Sequence, residues 1–183
     1  VQQKKGEKNL KVIVINGQGG IGKNTFVGYC IKAHEDTRSI SLVNEIKYVA
    51  KILGWKGDKT KKDRKFLNDL KRLTAKYNNF PFESVALNIS NILEQYKEAG
   101  KSTEDLVIFI HAREPEDIHY LVNKYDAKTL LIRKSGLAKK YGNPADDKVF
   151  DIDYDYIAYN DANLEELEIE AEKFMGKILG QDK

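Results

Sequence analysis

Lys11-Val12-Ile13-Val14-Ile15-Asn16-Gly17-Gln18-Gly19-Gly20-Ile21-Gly22-Lys23-Asn24-Thr25 decides how this chain is read. The β-branched run 11–15 predicts a short strand buried on both faces, as at the centre of a parallel sheet. Four glycines over 17–22 end that strand in a loop. Phe26, Val27, Cys30 and Ile31 then recur at helical spacing. Strand, glycine loop and helix open a nucleotide-binding α/β domain. The loop nearly matches GxxxxGK[ST], with the hydroxyl one place late, at Thr25. Its chemistry is that of an anion cradle. Glycines let successive backbone N–H groups point inward at phosphate oxygens, and the helix aims its positive end at the same place. Gly17, Gly19, Gly20, Ile21, Gly22, Lys23, Asn24 and Thr25 are the candidate phosphate-binding residues. Lys23 is the mobile cation for the β- and γ-phosphates, and Thr25 the hydroxyl for Mg²⁺. The competing reading is a glycine-rich turn that merely joins strand to helix.

Outward from this loop, regular elements follow closely, without repeats or low-complexity blocks. Residues 39–42 predict a second strand. Val43, Ile46, Val49, Ala50 and Leu53 form a helical stripe ending at Gly54. Thr60 with Asp63 is a capping-box signal for a helix with Phe66, Leu70, Leu73 and Tyr77 on one face. A further helix carries Val85, Ile89, Ile92 and Tyr96. These helices succeed one another without a strand, an excursion from the sheet over about 43–100. Strands resume at 106–110 and 129–132. Between them Pro115 opens a helix bearing Ile118, Leu121, Val122 and Tyr125. Residues 135–150 lack periodicity and predict a mobile loop. A last strand is expected at 154–159. A helix capped by Asn163, with Leu164, Leu167, Ala171, Phe174 and Ile178, follows it. Short parallel strands with helical crossovers make a doubly wound, five-stranded α/β layer fold.

The composition, 183 residues with 41% apolar, 32% charged and three prolines, predicts one domain with a real core over 10–183 and a polar tail at 1–9. No apolar run approaches the roughly 18 residues of a membrane helix, and residues 1–9 lack the apolar segment of a secretory signal. The single cysteine, Cys30, excludes an internal disulfide and a multi-thiolate zinc site. A reducing cytoplasm is the simplest compartment. Charge is uneven: nine basic against three acidic residues over 55–77, and four against twelve over 143–183. The basic stretch suits an anionic partner or a solvated face. It is short for nucleic acid and is equally explained by a small anionic acceptor.

The GK-x-T form of the loop resembles that of nucleoside monophosphate kinases, the GxPGxGKxT pattern with Gly19 where many have proline. Four more segments follow in order. Lys59-Thr60-Lys61-Lys62-Asp63-Arg64-Lys65-Phe66-Leu67 resembles the arginine-bearing helix of deoxynucleoside monophosphate kinases. His111-Ala112-Arg113-Glu114-Pro115-Glu116 resembles their Asp-x-Arg segment, with His111 in place of Asp. Leu130-Leu131-Ile132-Arg133-Lys134 resembles the strand entering their lid. Tyr156-Ile157-Ala158-Tyr159-Asn160-Asp161 with Leu164-Glu165-Glu166-Leu167 resembles their closing strand, base-side loop and last helix. Asn24 stands where the deoxynucleotide kinases commonly carry Asp.

The resemblance implies a P-loop NTPase-type fold with an inserted helical acceptor-binding region and a lid over about 134–150. It implies ATP with Mg²⁺ as phosphoryl donor and a small phosphorylated acceptor, a nucleoside or deoxynucleoside monophosphate. Lys23, Arg113 and Arg133 are then the catalytic candidates. Arg64 and Arg113 grip the acceptor, and Arg133, Lys134, Lys139 and Lys140 belong to the lid. Bidentate arginine forks suit phosphate oxygens. An ion pair with Glu114 or Glu116 competes for Arg113, and a solvated surface for Arg64. His111 reads better as a satisfied buried histidine than as a base, because a monophosphate is already ionised. Asp151, Asp153 and Asp155 read as a solvent-facing edge, Cys30 as packed core, and Trp55 as the freest aromatic. Two alternatives stay open: another small phosphorylated acceptor, phosphomevalonate-like, and a nucleotide-binding switch or partner-binding module without an acceptor.

Overall fold

The computed structural model describes residues 10–136 and 148–181. The chain divides into two compact units, one of residues 1–39 with 102–183, the other of residues 40–101. Five strands build one parallel sheet: β1 (Lys11–Asn16), β2 (Thr37–Ser41), β3 (Val107–His111), β4 (Lys128–Arg133) and β5 (Tyr156–Tyr159). Their order is β2-β3-β1-β4-β5. β1 is central, in parallel register with β3 (Ile15 beside His111) and with β4 (Asn16 beside Leu131). β5 lies parallel to β4 at the edge, Tyr159 beside Arg133. Six α-helices are present among the described residues: α1 (Lys23–Ala33), α2 (Asn44–Ile52), α3 (Lys61–Asn78), α4 (Phe80–Glu98), α5 (Pro115–Tyr125) and α6 (Leu164–Leu179). None is long and apolar enough to cross a membrane.

Central position explains the β-branched run. Val12, Ile13, Val14 and Ile15 are all buried, because both faces of β1 are covered. Alternation sorts them. Ile13 and Ile15 join Val107, Phe109, Leu130, Ile132 and Ala158 in a cluster with Phe26, Val27 and Cys30 of α1 and Leu167, Ala171, Phe174 and Met175 of α6. Phe174 is its hub, with ring centroids 5.8 Å from Phe26, 6.1 Å from Phe109 and 5.4 Å from Tyr156. The alternate residues face the opposite side, where α5 packs on β1 and β4 with Ile118 and Leu121 buried.

Strand limits differ from the sequence expectations by one or two residues, and side chains explain the largest difference. Tyr154 and Asp155 precede β5 rather than opening it. Asp155 accepts from the Thr129 backbone N–H and hydroxyl, both at 2.8 Å, and Tyr154 donates its hydroxyl to the Val149 carbonyl at 2.8 Å. Asp155 is exposed, as a solvent-facing edge requires, and is in addition held by Thr129. Burial pushes its carboxyl up, but the Thr129 donors and Lys128 outweigh that and hold it below the ordinary value.

In the helical unit, Thr60 and Asp63 close a reciprocal capping box at the start of α3. The expected stripe on α3 is not a buried one. No residue of α3 is buried, and Leu73 and Tyr77 are 66% and 85% exposed. Tyr96 is buried and Tyr48 exposed. Trp55 is half-buried, its indole N–H donating to the Asp58 carbonyl at 3.1 Å. It lines a cavity of about 340 Å³ with Lys47, Lys51, Lys59, Arg64 and Leu67.

Candidate phosphate-binding site

The loop between β1 and α1 leaves the carboxyl edge of the sheet at its centre, where open α/β sheets place ligands. Two glycines are required by geometry. A Cβ on Gly17 (φ +147°) would stand 2.4 Å from the Ile132 carbonyl oxygen. One on Gly22 (φ +95°) would stand 2.6 Å from Asn160 Nδ2. Asn160 holds the loop from behind: its backbone N–H donates to the Arg133 carbonyl at 2.8 Å, and Nδ2 to the Ile21 carbonyl at 2.9 Å. Gly19, Gly20, Asn24 and Thr25 are exposed, Ile21 buried, and Gly22 and Lys23 intermediate. Lys23 Nζ folds back to donate to the carbonyls of Gly17 at 2.6 Å and Gln18 at 2.7 Å.

Helix α1 begins on this loop with Gly22 at its N-cap, without a side-chain cap and without an acidic residue in its first turn. The amides that α1 cannot satisfy internally thus open toward the loop, with the positive end of the helix behind them. That arrangement suits an anion. The exposed Thr25 hydroxyl in this turn suits a magnesium ion that arrives on phosphates and keeps most of its own water. Groups of three or more acidic, His or Cys side chains placed to hold a metal are absent among the described residues.

The other sequence candidates fall in distinct places. Arg113 is exposed just beyond β3, before α5. Glu114, one of its expected ion-pair partners, pairs with Lys148 at 3.4 Å. His111 ends β3 half-buried rather than buried, its Nε2 3.1 Å from the Ser39 hydroxyl. Arg133, at the end of β4, lies between two rings, its guanidinium carbon 5.7 Å from the centroids of both Phe150 and Tyr159. Its Nε is buried without a hydrogen-bond partner among the described residues. Lys134 is exposed. Lys139 and Lys140 lie outside the described residues, as does the middle of the expected lid, 137–147. Arg64 is exposed on α3 of the helical unit and lines the Trp55 cavity.

Beside the loop, Ser135, Tyr159, Asn160, Asp161, Glu166 and Ile169 are among the residues lining a cavity of about 570 Å³. The Ser135 hydroxyl and backbone N–H hold the Asp161 carboxyl below its ordinary value. Three further residues went unnoticed in the sequence: Asn16, Tyr154 and Asn160. Only Asn16 carried a signal there, an amide side chain ending a run of buried aliphatics. It is 0% exposed.

No protein-family model matches the chain, and no curated protein matches it.

Proposed function

We propose that the chain is a P-loop NTPase-type nucleotide kinase that moves the γ-phosphoryl group of ATP to a nucleoside or deoxynucleoside monophosphate. One observation carries this reading: a glycine loop on the central strand, with Lys23 folded over it and an uncapped, acid-free helix start behind it. The order β2-β3-β1-β4-β5 supports it, because the loop then emerges beside Arg113 on one neighbour of β1 and Arg133 on the other.

In this reading Lys23 leaves the Gly17 and Gln18 carbonyls for the β- and γ-phosphate oxygens, and the loop amides take the remaining oxygens. The Thr25 hydroxyl would help hold a magnesium ion, which would supply charge neutralisation. The cavity beside Tyr159 and Asn160 has the volume of a ligand pocket and takes the donor's base. An acceptor phosphate oxygen bonds to the γ-phosphorus, and the bond from that phosphorus to the β–γ bridging oxygen breaks, releasing ADP. The acceptor oxygen is already ionised, so no general base is needed and His111 has no proton to take. Arg113 holds the acceptor phosphate. Arg133 and Lys134 stand by the transferring group and help exclude water, which would otherwise be phosphorylated instead.

The test is ADP release across a panel of nucleoside and deoxynucleoside monophosphates, with ATP-induced thermal shift measured in parallel. At least one monophosphate is expected to raise ADP release, and Lys23→Ala to remove both that activity and the shift while remaining folded. Thermal stabilisation by ATP without any acceptor dependence would overturn the kinase reading in favour of a nucleotide switch. An undiminished shift in folded Lys23→Ala would overturn the phosphate loop itself.

A further inference from the structure

We propose that Asn16 is a positioning residue that locks the phosphate loop, the Arg113 backbone and the segment 148–154 into one hydrogen-bonded unit, setting donor and acceptor groups in mutual register. This rests on the phosphoryl-transfer reading above.

Asn16 ends the central strand and is fully buried. A buried amide must spend its oxygen and both N–H groups well or cost stability. Its Oδ1 accepts from the Gly17 backbone N–H at 2.7 Å. That donor cannot accept, so the oxygen must face Gly17 and the amide has one orientation. Its Nδ2 donates to the Tyr154 hydroxyl at 2.8 Å and to the Arg113 carbonyl at 3.4 Å. The Tyr154 hydroxyl, having accepted, gives its single proton to the Val149 carbonyl at 2.8 Å. A relay therefore runs from Gly17 N–H through Asn16 and Tyr154 to Val149, and such chains polarise one another. Burial pushes the Tyr154 phenol up to about 12, so it stays a donor across the working pH range. A second tie, Lys148 to Glu114 at 3.4 Å, joins the segment to the residue after Arg113.

The consequence reaches both reacting groups. With its N–H taken by Asn16, the Asn16–Gly17 peptide is fixed, and it is the peptide from which the chain enters the one whose Gly17 carbonyl receives Lys23. The same side-chain amide holds Arg113 by its backbone carbonyl, at 3.4 Å. Few other side chains can do both. Aspartate keeps the acceptor but has no hydrogen for Arg113 or Tyr154, and serine has one donor on a shorter arm.

The experiment uses Tyr154→Phe, which keeps the ring and deletes the hydroxyl, together with Asn16→Ser. ATP affinity, monophosphate KM and kcat are measured for each, alone and combined with Arg113→Ala. In folded Tyr154→Phe we expect ATP affinity within about three-fold of the starting protein and kcat down by about ten-fold, the scale of one lost hydrogen bond acting on alignment. Combined with Arg113→Ala, the loss is expected to fall short of the product of the single losses, because both act through one unit. An unchanged kcat in folded Tyr154→Phe, or losses that multiply, would overturn the proposal and leave the kinase reading standing. A protein that phosphorylates no monophosphate would overturn both.

Discussion

Gly20 and Gly22 offer a controlled comparison, because both have positive φ, +77° and +95°, and only one has a neighbour in the way. Alanine at either position pays the left-handed backbone penalty of roughly 1–2 kcal/mol. At Gly20 the new methyl meets nothing within 4 Å, so that penalty is the whole cost. At Gly22 it lands 2.6 Å from Asn160 Nδ2, and the amide must turn away, losing its 2.9 Å bond to the Ile21 carbonyl. A hydrogen bond of that kind contributes about 0.5–1.5 kcal/mol net. Gly22→Ala should therefore cost about 1.5–3.5 kcal/mol and Gly20→Ala about 1–2 kcal/mol. Urea unfolding followed by circular dichroism reads the difference, provided the slope with denaturant is unchanged. The sharper check is to repeat Gly22→Ala in an Asn160→Ala background. There the obstruction is gone, and its cost should fall to that of Gly20→Ala. Equal losses for the two glycines, or a Gly22→Ala cost that ignores Asn160, would refute this account of the loop.

Arg113→Ala should spare ATP binding and lower kcat/KM for the monophosphate by about 30-fold or more, with little recovery in Arg113→Lys, as steady-state kinetics with varied acceptor would read. Asp155 has its folded pKa below its unfolded value. Its contribution is thus present above about pH 4 and lost as pH falls through the folded pKa, so Asp155→Asn should flatten the acid side of a thermal-midpoint profile. Cys30, pushed up to about 12 by burial, acts in the opposite sense: the unfolded thiol ionises first, above about pH 8.5, and stability declines as pH rises from there. At pH 8 it should resist a thiol-reactive disulfide reagent in the native protein and react fully in denaturant, and fast native labelling would contradict the packing of α1 on α6.

Much of the sheet was legible because its signals are local. The run at 11–15 reads as a central strand whatever surrounds it, and Thr60 with Asp63 needs only three residues to announce a helix start. The α3 stripe was misleading for a related reason. Periodicity shows which face a helix could bury, not whether the fold covers it, and Leu73 and Tyr77 stay exposed. The hidden part of the site lies in contacts between distant residues. Asn16 meets Tyr154 across 138 positions, and Asn160 meets the Ile21 carbonyl across 139. A side-chain amide aimed at a backbone carbonyl leaves no spacing pattern, since every residue supplies that carbonyl. Asp155 shows the same limit: beside Asp151 and Asp153 it looks like one of three solvated acids, and only the fold sets it against Thr129.

If the loop binds phosphate as proposed, Lys23 resting on the Gly17 and Gln18 carbonyls would make it a gate that sorts anions by how many oxygens they bring. Its cation is already engaged, so an incoming anion must replace two good acceptors before it gains anything. A chloride ion or a lone carboxylate offers too few contacts for that exchange and leaves the lysine where it is. A polyphosphate meets the lysine and several loop amides together, and the carbonyls it displaces can turn to water. The loop thereby holds a threshold against the abundant small anions around it and answers to a phosphate chain.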